Sequence, residues 1–233
     1  VIRGIHHAPL VAFAATVLVA CSPPAECSAG LDVWTQDRAT LDGLSSQGGS
    51  VSAAQSSDSA RAYRDAAAKL KVSAAKVSAI KTTDLALSHA AETYAAAEGQ
   101  LVTSLGALAD GLDRLSAAQA NVEAADGRAE NARTKLVTAC LANPKPAGCD
   151  ETRTTLAKTP TDEAARNQAE RDLDNVKFDA ALVPLRGAYV IGLKGMDSTR
   201  KDAHALEIDA KGSLVTTKVT EAGADIEKRC RAQ

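Results

Sequence analysis

Chemistry in this chain of 233 residues would have to come from a small set of side chains: five cysteines, four histidines, and carboxylates interspersed among basic residues. Asp84 and Glu98 fall on one row of a helical pattern, and a pair of carboxyls shielded from water performs general acid and base work. They stand fourteen positions apart, about 21 Å along a helix, too far to act on one bond. Polar residues that hold the register of a packing seam account for them more simply. His89 lies one turn before Thr93 with no acid placed to orient it, and His204 reads as an exposed helical residue. Gly192-Leu193-Lys194-Gly195 is glycine-rich, but it follows no predicted strand and lacks a phosphate-loop pattern. The cysteines form no CxxC pair, and only His89 and His204 lie beyond the first twenty residues, so neither a metal site nor a cofactor is expected. With no converging catalytic residues, the chain reads as non-enzymatic.

Residues 1–20 read as a signal peptide: Arg3 is the one formal side-chain charge, His6 and His7 are nearby, and an apolar run from Leu10 to Ala20 ends at Cys21. That run is too short to span a bilayer. Leu18-Val19-Ala20-Cys21 resembles the lipobox of bacterial lipoproteins: an aliphatic residue, a tolerant position, a small residue, then cysteine. The resemblance implies that the preceding segment is removed and that Cys21 becomes the acylated first residue. Ser22, rather than Asp, follows that cysteine. The resemblance then implies the outer membrane of the cell envelope, facing the periplasm, with anchoring through acyl chains.

Four cysteines remain for an oxidising compartment, where disulfides are the default. Cys140 and Cys149 enclose Leu-Ala-Asn-Pro-Lys-Pro-Ala-Gly, which cannot continue a helix and favours their pairing. Cys27 and Cys230 are left for each other, the rival being a free or intermolecular Cys27. Inside the clipped segment, Asn143, Pro144, Lys145 and Pro146 form the candidate partner-contact surface. The same residues would serve a purely structural turn.

The elements that position these residues follow from a seven-residue spacing. Ile80, Leu87, Tyr94, Leu101, Leu108, Leu115, Val122, Ala129 and Leu136 recur at every seventh position, with Leu105 and Leu112 on the partner row. This predicts a long helix packed lengthwise on others. Its glycines at 99, 106, 111 and 127 each cost about 1 kcal/mol against alanine, so packing must hold it. A second helix is expected over 53–81, and Thr82-Thr83-Asp84 offers a turn and a new start, although the unbroken heptad also permits one continuous helix. Residues 21–52, rich in Ser, Gly, Pro and Gln, read as a flexible tether, in which Trp34, with Leu31, Val33, Leu41 and Leu44, docks a short helix on the body. After the clipped turn, 161–183 reads as a helix antiparallel to the spine, kinked at Pro184, and a last helix covers 199–231. A strand over 189–193 is the weaker choice there. The expected fold is all-α, an elongated helical bundle over 53–233 with a three-helix base and an antiparallel two-helix coiled-coil stalk.

Composition limits the function. An aromatic share of 3% is far too low for a broad core, and alanine supplies much of the 45% hydrophobic content, so the body should be thin. A net charge of −2 without a block of Lys or Arg excludes nucleic-acid binding by charge. The expected role is a lipid-anchored scaffold, spacer or adaptor contacting an envelope protein or peptidoglycan. The competing expectation is a helical bundle that holds a small apolar ligand near Tyr94, Tyr189 and Met196. Nothing in the sequence sets an oligomeric state.

Overall fold

A computed structural model describes residues 25–47, 56–210 and 216–232. Cys21 and the signal segment lie outside the described residues. Six helices make up the described fold: α1 (Ala25–Gln47), α2 (Ser56–Ser78), α3 (Leu85–Ala139), α4 (Glu163–Asn175), α5 (Val183–Ala210) and α6 (Thr217–Arg231), with no strand among the described residues. The organising element is α3, 55 residues in one helix, or about 80 Å.

The turn before α3 wins over a continuous helix. Asp84 has extended backbone, and its carboxylate accepts the backbone N–H of Ala86 and Leu87 at 2.8 and 3.2 Å. That satisfies donors which an unbroken helix would not leave open. The row at every seventh residue needs correction. Leu108 and Val122 on that row are only partly buried, whereas Ala109, Ala118 and Ala125, off the row, are buried. A straight helix drifts by about 20° per heptad, so the buried stripe migrates to spacings such as Leu101/Leu112, Ala118/Ala129 and Ala125/Leu136.

The first half of α3 belongs to an antiparallel bundle of α1, α2, α3 and α6. Arg64 of α2 reaches Asp110 and Asp113 of α3 at 2.9 and 2.5 Å, and Lys218 of α6 reaches Gln100 of α3 at 3.4 Å. The expected three-helix base therefore has four helices. The fourth, α1, replaces the tether over Ala25–Gln47, because Cys27, Trp34 and Leu41 repeat at seven and bury one face. Composition concealed this: of the glycines, Gly30 sits at a close contact with Ile226 and Gly43 lies on the solvent side.

The second half of α3 pairs antiparallel with α5, not with the segment 161–183. Gly192 of α5 lies against Ala129 so closely that a Cβ there would come 2.8 Å from the Ala129 Cα. The helix expected over 161–183 ends at Asn175, with Val176 extended, and Pro184 falls in the first turn of α5 instead of kinking a continuous helix. A first-turn proline loses no intrahelical hydrogen bond, so this placement is the cheaper one. The short helix α4 lies on α5 through Arg166–Asp197 (2.5 Å), Lys201–Glu163 (3.1 Å), Lys194–Glu170 (3.7 Å) and Arg186–Asp174 (3.2 Å). The last helical stretch is likewise divided into the end of α5 and α6.

Two separate cores follow. One gathers Trp34, Tyr63, Leu70, Tyr94, Leu105 and Ile226 in the base; the other gathers Leu136, Leu156, Leu173, Tyr189, Leu193 and Met196 in the distal half. Both disulfides tie ends. Cys27 pairs with Cys230 across 203 positions and Cys140 with Cys149 across 9, the pairing favoured by spacing.

Glycine substitutions separate packing from propensity. Added methyls at Gly99 and Gly111 meet nothing within 4 Å, so Gly99→Ala and Gly111→Ala should each stabilise by about 0.5–1 kcal/mol. At Gly223 a Cβ would lie 2.3 Å from the Trp34 ring, so Gly223→Ala should destabilise by about 1–3 kcal/mol. Thermal unfolding followed at 222 nm checks both signs.

Candidate functional site

The clipped tip starts where α3 ends at Cys140 and leaves through a cis Asn143–Pro144 peptide. Asn143, Pro144 and Lys145 are exposed, Pro146 is partly buried, and Leu141 is 78% exposed. Lys145 is not a free charge, since its Nζ lies 2.5 Å from the Asp150 carboxylate. The loop closes at Gly148, whose φ of 89° suits glycine. Phe178 packs on Gly148, and the backbone N–H of Asp179 donates to the Ala147 carbonyl at 3.2 Å. Residues beyond the disulfide also brace the tip. Arg133 of α3 donates to the Leu156 carbonyl at 2.6 Å, and Thr159 donates to Glu130 at 2.6 Å. Arg133 first, then Thr159, hold the Glu130 carboxyl down to about 2. Sequence reasoning found the clipped loop but missed this second brace, because 150–162 has no periodicity to read.

A cluster in the base is the other candidate. Asp37 of α1 is buried and accepts the Ser73 hydroxyl of α2 at 2.6 Å and the Tyr94 hydroxyl of α3 at 2.8 Å. Glu98, one turn along α3 from Tyr94, is fully buried, and neither of its oxygens receives a donor from another group. The acid that acts on it is Asp37 of α1. Burial first, and then Asp37, pushes the Glu98 carboxyl up to about 9. Burial beside Glu98 and Asp37 also raises the Tyr94 phenol far above its ordinary value. Trp34 stands edge-on to Tyr94 with centroids 6.0 Å apart, and its indole N–H reaches Glu227 of α6 at 3.2 Å.

Glu98 is thus a buried group, not a seam-edge residue, and its carboxyl partner is Asp37, with Asp84 spent on the α3 cap. Asp37 was legible in principle: Gly30, Asp37 and Leu44 repeat at seven beside Cys27, Trp34 and Leu41, which places an acid on the apolar face. The pair resembles an acid–base device in its groups but not in its access. Asp37, Ser73, Tyr94 and Glu98 all lie within the base core and line neither of the two grooves on α3. The chemistry they support is a fixed register between α1, α2 and α3.

Other singled-out residues separate. Tyr94 belongs to the base core, whereas Tyr189 and Met196 belong to the distal one, so the three do not share a cavity. A groove of about 700 Å³ between α3 and α6 is edged by His89, Thr93, Gln100, Lys218 and Arg229. Another of about 620 Å³ lies between α3 and α5, with Gly127, Lys135, Leu185 and Ala188 along it. Gly192 serves the α3–α5 crossing inside a helix, whereas a methyl added at Gly195 would meet nothing within 4 Å. His204 is exposed. Among the described residues no group of three His, Cys, Asp or Glu could hold a metal ion, and no helix is long and apolar enough to cross a membrane.

Glu98 makes stability depend on pH in a stated direction. Its carboxyl keeps its proton in the folded protein up to about pH 9 but releases it near 4.5 once unfolded. The folded state therefore holds the extra proton within that window, and stability falls as pH rises from 4.5 to 9, by at most about 1.4 kcal/mol per pH unit. Glu98→Gln keeps the size of the side chain and cannot ionise. Urea unfolding should find this variant more stable than the parent at pH 8 and nearly equal at pH 5; parallel pH profiles would refute the assignment. In comparisons with known proteins, no family model, curated protein or solved structure matches the chain.

Proposed function

We propose that this chain is a lipid-anchored spacer of the bacterial cell envelope, non-enzymatic, which carries a braced contact surface away from the outer membrane toward an envelope protein or peptidoglycan. The observation that carries this reading is α3 itself. One helix of 55 residues runs from the bundle that holds α1 to the clipped tip, with a separate core at each half. A compact binding domain has no use for such a length. A spacer does, because its ends must differ in position while the body stays stiff.

The two disulfides fit an oxidising, extracytoplasmic compartment, in keeping with the lipobox at Leu18–Cys21. Bracing the tip also lowers the entropy that a loop loses on binding. In this reading Asn143, Pro144 and Leu141 contact the partner, while Lys145, paired with Asp150, shapes the loop more than it supplies charge.

The experiments address the two ends separately. Cys21→Ser should move the protein from the membrane to the soluble fraction of the envelope; unchanged fractionation would remove the anchor from the proposal. A photo-crosslinking residue at Asn143 in intact cells should give a discrete adduct with an envelope component, and the same residue at exposed Arg114 on α3 should not. Equal labelling at both positions would dismiss the tip as the contact surface.

A further inference from the structure

Four helix ends converge at the foot of the base. Cys27 near the start of α1 is bonded to Cys230 near the end of α6, and Gly30 of α1 packs against Ile226 of α6 and Ile80 in the turn after α2. Asp84 then starts α3 after a short turn. Leu85, the first residue of α3, is 86% exposed, the most exposed large hydrophobic side chain among those described. Lys81 precedes it by four residues, and Lys76 and Lys228 stand in the last turns of α2 and α6 toward the same end, all exposed. Asp84 caps α3, Glu227 takes Trp34 and Arg231, and Asp225 takes Arg229 at 2.8 Å, while Glu26 and Asp32 of α1 and Glu92 of α3 are the other acids toward this end.

Chain length says what this end faces. Cys21 lies four residues before Ala25, where α1 begins, and four residues reach at most about 14 Å. A lipid on Cys21 would hold the foot of the base within that distance of the bilayer surface. An exposed leucine among unpaired lysines complements an anionic headgroup layer, the leucine entering the acyl boundary and the lysines meeting lipid phosphates.

We infer that the foot of the base, Leu85 with Lys76, Lys81 and Lys228, is a membrane-docking face for anionic lipid, which stands α3 away from the bilayer and holds the clipped tip up to about 80 Å above it. This rests on the lipid-anchor reading for its tether in the cell. Its test supplies the tether independently.

The chain from Ser22 onward, which retains every described residue, carries an amino-terminal hexahistidine and is held on vesicles containing a nickel-chelating lipid. The vesicles are phosphatidylethanolamine with roughly one third phosphatidylglycerol, with brominated acyl chains as quencher. Trp34 is buried and gives a common background. Fluorescence of Leu85→Trp should be quenched at least twofold more than that of Leu141→Trp at the tip, and adding Lys76→Glu, Lys81→Glu and Lys228→Glu should abolish the difference. Equal quenching at the two positions, or stronger quenching at the tip, overturns the docking face even if the natural protein is membrane-bound. Membrane fractionation of the full chain with intact Cys21 tests the anchor by itself, so either idea can fail without the other.

Discussion

Close approach of helix backbones is the constraint on which this structure depends. A body built with few aromatic residues has no bulk to fill wide gaps, so each seam must be narrow. At the α3–α5 crossing, Gly192 lets Ala129 come within contact of its backbone, and at the α1–α6 contact, Gly223 accepts the face of Trp34. Narrow seams bury little area per residue, and each half of α3 therefore needs neighbours along its whole length. The base obtains them from α1, α2 and α6, the distal half from α5 with α4 laid on it. Length, thinness and a divided core are one consequence, not three features.

The disulfides occupy the places where thin seams are weakest. Helix ends fray, and chain termini leave a bundle first. Cys27–Cys230 ties the opening of α1 to the close of α6, across 203 positions, and removes much of the freedom of the unfolded chain. Cys140–Cys149 acts over 9 positions and has less effect on that freedom, so its weight falls on the shape of the tip. Arg133 and Glu130 share that work by holding residues 156–159 against α3.

What could be read from the sequence divides along the same physical line. Large apolar residues at regular spacing announce themselves, so α2, the start of α3 at Asp84 and both cystine pairings were legible. Alanine does not, because it packs at a seam and tolerates solvent equally well. Ala109, Ala118 and Ala125 are buried on a stripe that the row of leucines misses, and α1 looked like a tether because the large side chains on its inner face, Val33, Trp34, Leu41 and Leu44, are few for its length. The partner of α3 in the distal half was misassigned for a related reason. The segment 161–175 has the stronger polar helical pattern, but α5 carries the small and apolar residues that fit the seam. Pro184 looked like a kink since a proline's effect depends on whether the helix has already begun.

The buried acid pair shows what a thin core asks of polar groups. Asp37 takes hydroxyls from two helices, Ser73 of α2 and Tyr94 of α3, and lies near enough to Glu98 to act on its carboxyl. Each bond is directional, whereas alanine contacts are nearly interchangeable along a helix. Sliding α1 by one turn would retain much of its apolar burial but would part Asp37 from the Ser73 and Tyr94 hydroxyls, at a cost of about 1–3 kcal/mol for each unsatisfied neutral group and more for a charged one. Leucine at those positions would bury more apolar surface and specify less. The polar cluster therefore sets which of several similar packings is occupied, and through Cys27, ten residues before Asp37, it determines where the foot of the base and its exposed Leu85 are held.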